Sequence, residues 1–205
     1  TDQQIIKFIK YILVIIAVII LGFTMLGSIK QGQVGIKTRF SAVTGAVLQP
    51  GLYVKLPFIE SVKKMDVQTQ KEQVEATAAS KDLQNVTTTI ALNYSIDQSK
   101  VVELYSNIGI SYKERVIDPY IQESVKATTA NFTAEELITK REVVSDEIKT
   151  HLSERLSSLG IITQGLSIVD FKFSASFNEA IESKVTAEQN ALAAKNKLSQ
   201  VQYEA

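Results

Sequence analysis

The 205-residue sequence predicts an α+β protein with a single N-terminal transmembrane helix and a long C-terminal helix. Three features of the sequence support this prediction. A run of uncharged residues, Tyr11 to Ile29, lies near the amino terminus. Residues 30–97 contain short apolar runs separated by glycine and proline, which is typical of strands and turns. The chain beyond residue 97 has mainly the three-to-four-residue apolar spacing of helices.

The uncharged run has the length of a membrane-spanning helix. At about 1.5 Å per residue, residues 11–29 would extend about 28 Å, close to the thickness of the apolar layer of a bilayer. The apolar region of a cleaved signal is shorter, about 7 to 15 residues. We therefore expect residues 1–10 to be a short leader and residues 11–29 to be an anchor. Its lipid-facing residues include Tyr11, Ile15, Ile19, Phe23 and Ile29.

Residues 30–97 are expected to form a β-rich subdomain. The clearest strand is the stretch "NVTTTIALNYSI", residues 85–96, in which apolar and polar side chains alternate. Such alternation indicates a strand with one buried face. The residues predicted on that face are Val86, Thr88, Ile90, Leu92, Tyr94 and Ile96.

The apolar stretch "GLYVKLPFI", residues 51–59, has two interpretations. It could form a hairpin buried in the domain, or part of it could enter the nearby leaflet as a second membrane contact. The candidate residues for that membrane contact are Leu52, Tyr53, Leu56, Phe58 and Ile59.

Residues 98–175 are expected to form an α/β subdomain. Apolar spacing over residues 101–108 predicts a helix that ends at Gly109. Pro119 predicts a kink or break in the next helix, residues 112–130, because proline lacks a backbone N–H and clashes with the preceding turn.

An amphipathic helix is predicted over residues 133–159. Thr133 and Glu136 have the spacing of a capping box, and Gly160 ends the apolar pattern. A strand is predicted after this helix, over residues 165–173.

Residues 176–205 are expected to begin a long helix that continues beyond the sequence. Ser176 and Glu179 have the spacing of a further capping box, and no glycine or proline follows. The apolar stripe is too thin to bury this helix in a globular core, so we expect it to meet equivalent helices of neighbouring chains. The candidate oligomerisation residues are Phe177, Ile181, Val185, Leu192 and Leu198.

Composition and motifs argue against several functions. Lys and Arg total 22, as do Asp and Glu, so no net positive charge favours nucleic acid. The absence of cysteine excludes thiol catalysis and cysteine-ligated metal. The single histidine, His151, lies on the predicted 133–159 helix, where a histidine is typically a surface or boundary residue. We expect no enzyme activity, no cofactor, and no catalytic or metal-binding residues; a membrane hydrolase with a Ser-Lys site is a lesser alternative.

Three blocks of the sequence resemble the SPFH or Band 7 family. They are "PGLYVKLPFIESV" (residues 50–62), "SKDLQNV" (80–86) and "YKERVIDPYIQESVKATTANFTAEELITKREVVSDEI" (112–148). The blocks occur in the family's order, and "ANFTAEELITKREVVS" is most similar to the prohibitin group. The resemblance extends from about residue 32 to the end of the chain and includes the anchor.

The resemblance implies a two-part SPFH domain, with SPFH1 over residues 30–97 and SPFH2 over residues 98–175, followed by a coiled-coil-like helix. It implies a non-enzymatic membrane scaffold that oligomerises into a large ring or cage, organises membrane microdomains and regulates a membrane-bound AAA protease. The implied partners are membrane lipids, other copies or a paralogous subunit, and that protease. The alternative is a low-copy, stomatin-like adaptor that modulates a channel or transporter.

The resemblance also implies a location. The protein would cross the bacterial inner or plasma membrane, or the mitochondrial inner membrane, once. The main domain would lie on the periplasmic or intermembrane-space side. The flanking charges do not decide the orientation, since Lys7 and Lys10 precede the anchor and Lys30, Lys37 and Arg39 follow it.

Overall fold

The computed structural model describes the backbone of residues 2–204 and the side chains of residues 7–8, 10–175 and 177–197. Its mixture of helices and strands confirms the α+β class. A short π-helix, Lys113–Ile117, precedes α3. The other elements are α1 (Asp2–Met25), β1 (Leu26–Ile29), β2 (Gln33–Arg39), β3 (Ala42–Leu48), β4 (Gly51–Val54), β5 (Glu60–Asp66), β6 (Gln70–Ala79), β7 (Asn85–Ile96), α2 (Val101–Asn107), α3 (Asp118–Thr129), α4 (Ala134–Thr139), α5 (Arg141–Ser158), β8 (Ile161–Phe173) and α6 (Ala175–Glu204).

The anchor predicted over residues 11–29 requires correction at its carboxyl end. Helix α1 ends at Met25, and the next four residues form β1, which pairs with β4. Ile29 is only 4% exposed and therefore does not face lipid. Within the described residues, no helix has both the length and the apolar character needed to cross a membrane, and the single-pass topology is not supported.

The chain divides into two compact units, each built from three separate segments. The first unit contains Thr1–Glu72, Asn93–Ile117 and Ser153–Gly165. The second contains Gln73–Leu92, Asp118–Leu152 and Leu166–Ala205.

The first unit contains an antiparallel sheet of order β3-β2-β5 and a two-stranded sheet of β1 and β4. In the β2–β5 register, Ile36 lies opposite Lys63 and Arg39 lies opposite Glu60. Residues directly opposite in an antiparallel pair point to the same face, so Lys63 shares the face of the fully buried Ile36. The smaller sheet packs closely on this one: a Cβ on Gly35 would lie 2.5 Å from Ile29 Cδ1.

The third sheet has the order β6-β7-β8, and its central strand confirms the alternation predicted over residues 85–96. The six residues expected on one face of β7 are all buried. This face supplies much of the sheet's apolar core because its side chains are removed from water.

The helices confirm one predicted interruption and add another. The π-helix leads directly into α3, and Pro119 is the second residue of α3. Because Pro119 has no N–H, the α-helical hydrogen bond to Arg115 O cannot form there, and the change from π-helix to α-helix lies at this point of the chain. The helix predicted over residues 133–159 is divided into α4 and α5 at Lys140. Its predicted capping box is present, since Thr133 Oγ1 accepts from Glu136 N at 3.2 Å and Glu136 Oε2 accepts from Thr133 N at 3.1 Å.

The capping box predicted at Ser176 is wrong, because α6 begins at Ala175, two residues before the Phe177 that such a cap would make its first residue. Ser174 Oγ accepts a hydrogen bond from Phe177 N at 3.3 Å, so Ser174 serves the first turn. The helix then continues to Glu204, as the absence of glycine and proline indicated.

Candidate functional site

Helix α1 has a large exposed apolar surface. Four of the five residues expected to face lipid, Tyr11, Ile15, Ile19 and Phe23, are between 51% and 75% exposed. The fifth is the buried Ile29. Exposed apolar surface of this extent is typical of a segment that lipid or another protein covers.

Two turns at one end of the β3-β2-β5 sheet also expose large apolar side chains. Phe40, between β2 and β3, is 75% exposed, and Phe58, between β4 and β5, is 97% exposed. The turns adjoin each other because Phe40 N donates to Ile59 O at 2.9 Å. The two phenylalanines line an open cavity of about 510 Å³.

These turns lie beside the carboxyl end of α1, since Lys55 N donates to Met25 O at 2.8 Å. The exposed apolar side chains here are called the apolar turn surface. They are Phe40, Leu52, Leu56, Phe58 and Ile59.

The apolar turn surface differs by two residues from the contact predicted from sequence. Tyr53 is half-buried against β1, where a Cβ on Gly27 would lie 2.3 Å from Tyr53 Cζ. Phe40 was missed. The stretch "TRFSAV" has no glycine to mark a turn, although Phe40 and Ser41 have φ values of 47° and 68°. Such left-handed backbone is uncommon for residues with a side chain.

A buried carboxylate holds the β4–β5 turn in place. The Glu60 side chain is 2% exposed and receives Lys37 Nζ at 2.7 Å and Arg39 Nη2 at 2.9 Å. It also accepts from Leu56 N at 3.0 Å. These donors, Lys37 first, lower the pKa of Glu60 from 4.5 to about 2, against the opposing effect of desolvation. The carboxylate is therefore ionised throughout the physiological range and ties the turn to β2.

The residues predicted for oligomerisation fall into two groups in the second unit. Phe177 and Ile181 are half-buried: Phe177 packs on Phe173 with ring centroids 5.2 Å apart, and both line a cavity of about 220 Å³ beside α4. Val185 and Leu192 are exposed on α6, and Val185 also lines that cavity. The side chain of Leu198 lies outside the described residues.

The only histidine has no arrangement that suggests catalysis. His151 is on α5, and its Nε2 lies 3.9 Å from Glu147 Oε1, one helical turn away. Across the side chains that the structure describes, no group of three His, Asp or Glu could hold a metal ion.

Comparisons with known proteins give a consistent result. The model of the SPFH domain / Band 7 family matches residues 28–203. The sequence is 35% identical over 176 residues to Prohibitin-1 of Schizosaccharomyces pombe, covering 83% of this chain and 62% of that protein. It is 35% identical to mitochondrial prohibitin complex protein 1 of Caenorhabditis elegans and 34% identical to Prohibitin 1 of Mus musculus, in each case over 75% of this chain and 56% of the relative. The chain thus spans 56% to 62% of the length of these three relatives.

Proposed function

Since the chain belongs to the SPFH domain / Band 7 family, we propose that it is a non-enzymatic membrane scaffold that oligomerises into a large ring or cage. The observation that carries this proposal is the exposed apolar surface, which extends over α1 and the adjoining turns. A surface of this kind suits a protein that works against lipid and neighbouring subunits.

Lipid is the proposed partner of the first unit. The apolar side chains of α1 lie in the bilayer, and the apolar turn surface enters the same leaflet beside Met25. The hydrogen bond from Lys55 N to Met25 O supports a common membrane face, because it fixes the turn next to the helix end. Burial of apolar area in the acyl region would supply the binding energy.

Other copies, or a paralogous subunit, are the proposed partners of α6. Val185 and Leu192 are exposed on a long helix that has few apolar residues to bury internally, which favours packing between helices in a coiled coil. The name of the C. elegans relative places that protein in a prohibitin complex, which supports an assembly of several subunits.

The proposed assembly organises membrane microdomains and regulates a membrane-bound AAA protease by enclosing it. That role follows from the resemblance to prohibitins. The proposed location is the mitochondrial inner membrane or the corresponding bacterial membrane. The C. elegans relative supports it, because the name of that protein places it in mitochondria. The main domain is proposed to lie on the intermembrane-space or periplasmic side.

The assembly is tested with charges placed on the exposed stripe of α6. We expect full-length Val185→Asp/Leu192→Asp to lose the ring or cage, because each aspartate would bury a charge between helices. The matched control is Ser183→Asp/Asn190→Asp, which adds the same charges with the same seven-residue spacing at exposed polar positions on the opposite face of α6. Mass photometry and single-particle imaging of gently extracted protein measure the particle size.

Three outcomes are informative. A wild-type particle of many copies that only the Val185/Leu192 variant breaks supports the scaffold. A Val185/Leu192 variant that forms the intact assembly contradicts the role of α6. A wild-type particle of one to three copies contradicts the ring and favours the low-copy adaptor.

A further inference from the structure

A second cavity in the first unit contains two cationic side chains and no carboxylate. Its volume is about 380 Å³. Lys63 and Arg115 supply the charges, and hydroxyl groups come from three serines and Tyr105. The serines are Ser41, Ser106 and Ser111.

The fold brings these groups together from distant parts of the chain. Lys63 is on the β5 face that it shares with the buried Ile36. Arg115 is in the π-helix that follows α2, and its Nη1 donates to Ile108 O at 3.1 Å. That bond uses one of the five guanidinium N–H groups, and the others can donate to a ligand.

Lys63 and Arg115 differ from the cations of β2 in having no acidic partner. Lys37 and Arg39 both pair with Glu60. By contrast, no ion pair within the described part of the chain includes Lys63 or Arg115. A cavity with two unneutralised cations and the hydroxyl groups of Ser41 and Ser111 is suited to an anion that accepts several hydrogen bonds. Phosphate fits this description, since a guanidinium can bind two of its oxygens at once.

The cavity lies beside the apolar turn surface. Ser41 lines both this cavity and the cavity between Phe40 and Phe58. Cationic and apolar surfaces that adjoin in this way match the two parts of an amphiphile, a charged headgroup and an acyl chain.

We propose that this cavity binds a phosphate group, carried either by an anionic phospholipid or by a soluble phosphate. Lys63 and Arg115 pair with the phosphate oxygens, and the hydroxyls of Ser41 and Ser111 donate to them. The Ser106 hydroxyl is not used, because it donates to Val102 O at 2.7 Å. The phospholipid source rests on the proposed membrane attachment, whereas the phosphate chemistry does not.

The test measures binding to the full-length protein in a neutral detergent. Isothermal titration uses dihexanoyl phosphatidic acid, dihexanoyl phosphatidylcholine and inorganic phosphate as separate probes. We expect Lys63→Gln/Arg115→Gln to weaken phosphatidic acid binding about tenfold or more, because charge-assisted hydrogen bonds are lost. The matched control is Lys64→Gln, which removes a charge from the opposite face of β5 and should change the affinity less than about twofold.

Each outcome supports or overturns the proposal. Binding of phosphatidic acid but not of inorganic phosphate or phosphatidylcholine assigns the site to a headgroup, and comparable affinity for inorganic phosphate assigns it to a soluble ligand. Absence of binding to both phosphate probes, or equal losses in Lys64→Gln and the double variant, overturns it. Reconstitution into pure phosphatidylcholine liposomes tests membrane attachment separately, because a failure there contradicts the proposed function without affecting phosphate binding in detergent.

Discussion

At the scale of single residues, the least predictable feature is the Glu60 cluster. Glu60 and Arg39 are 21 positions apart in sequence, and only the antiparallel register of β2 and β5 places them together. The sequence contains 22 acidic and 22 basic residues, and no local pattern indicates which of them is buried. Phe40 was missed for a similar reason, because its turn has no glycine. By contrast, all six core residues of β7 could be predicted, since alternation is a local pattern.

The low pKa of Glu60 predicts a specific pH dependence of stability. The pKa is about 2 in the folded chain and 4.5 ordinarily, so ionised Glu60 stabilises the fold above pH 4.5. That contribution is lost as the pH falls from 4.5 towards 2. Glu60→Gln should therefore be less stable than wild type at pH 7, and the difference should shrink towards pH 2. Urea unfolding of the full-length proteins at several pH values measures this difference in the free energy of unfolding.

A matched variant removes an exposed carboxylate instead. Glu103→Gln, on α2, should follow the wild-type pH profile closely. If Glu60→Gln and wild type lose stability in parallel between pH 4.5 and 2, Glu60 does not stabilise the turn as described.

At the scale of elements, local sequence patterns predicted which helices and strands exist better than they predicted where these helices and strands begin and end. The apolar residues of β1, Leu26–Ile29, could have continued the helix. They instead pair with β4, which lies about 25 residues further along the chain, so the local pattern could not show this pairing. The break at Lys140, where φ is −111° and ψ is 31°, has no glycine or proline from which it could be predicted. By contrast, the irregularity next to Pro119, where the π-helix changes to α3, could be predicted from the sequence, because proline always lacks a backbone N–H.

Helix α5 contains two adjacent valines that test which face of the helix packs against the core. Val144 is fully buried and its neighbour Val143 is 56% exposed. Val144→Ala should lower the free energy of unfolding by about 1.5 to 3 kcal/mol, through lost apolar burial and the remaining cavity. Val143→Ala should change it by less than about 0.5 kcal/mol. Equal losses in denaturant unfolding would show that the core does not lie on the side of Val144.

At the scale of the whole molecule, resemblance to a family was more informative than composition. The balanced charge and the absence of cysteine excluded functions without indicating one. The ordered blocks indicated SPFH or Band 7, and the family match over residues 28–203 confirmed it. The apolar turn surface was only partly predictable, because "GLYVKLPFI" reads equally well as a buried hairpin and Phe40 lies outside it.

The proposed membrane contact can be mapped with single tryptophans, since the sequence has none. In full-length protein reconstituted with brominated lipids, the fluorescence of Phe40→Trp and Phe58→Trp should be quenched strongly. Thr69→Trp is the control, because Thr69 is exposed after β5, beyond the end of that strand opposite the Phe58 turn and about 20 Å from it. Equal quenching of all three tryptophans, or none at Phe40→Trp and Phe58→Trp, would contradict the contact.

The junction of α1 and β1 has a mechanical consequence. Met25 ends the helix and Leu26 begins the strand, so the joint contains no linker residue that could absorb rotation. Torque from a change in the tilt of α1 is then transmitted directly to the β1–β4 ladder and, through Lys55, to the adjoining turn. If α1 lies in lipid as proposed, a bilayer that changes the tilt of α1 would also change the position of the turn that carries Phe58.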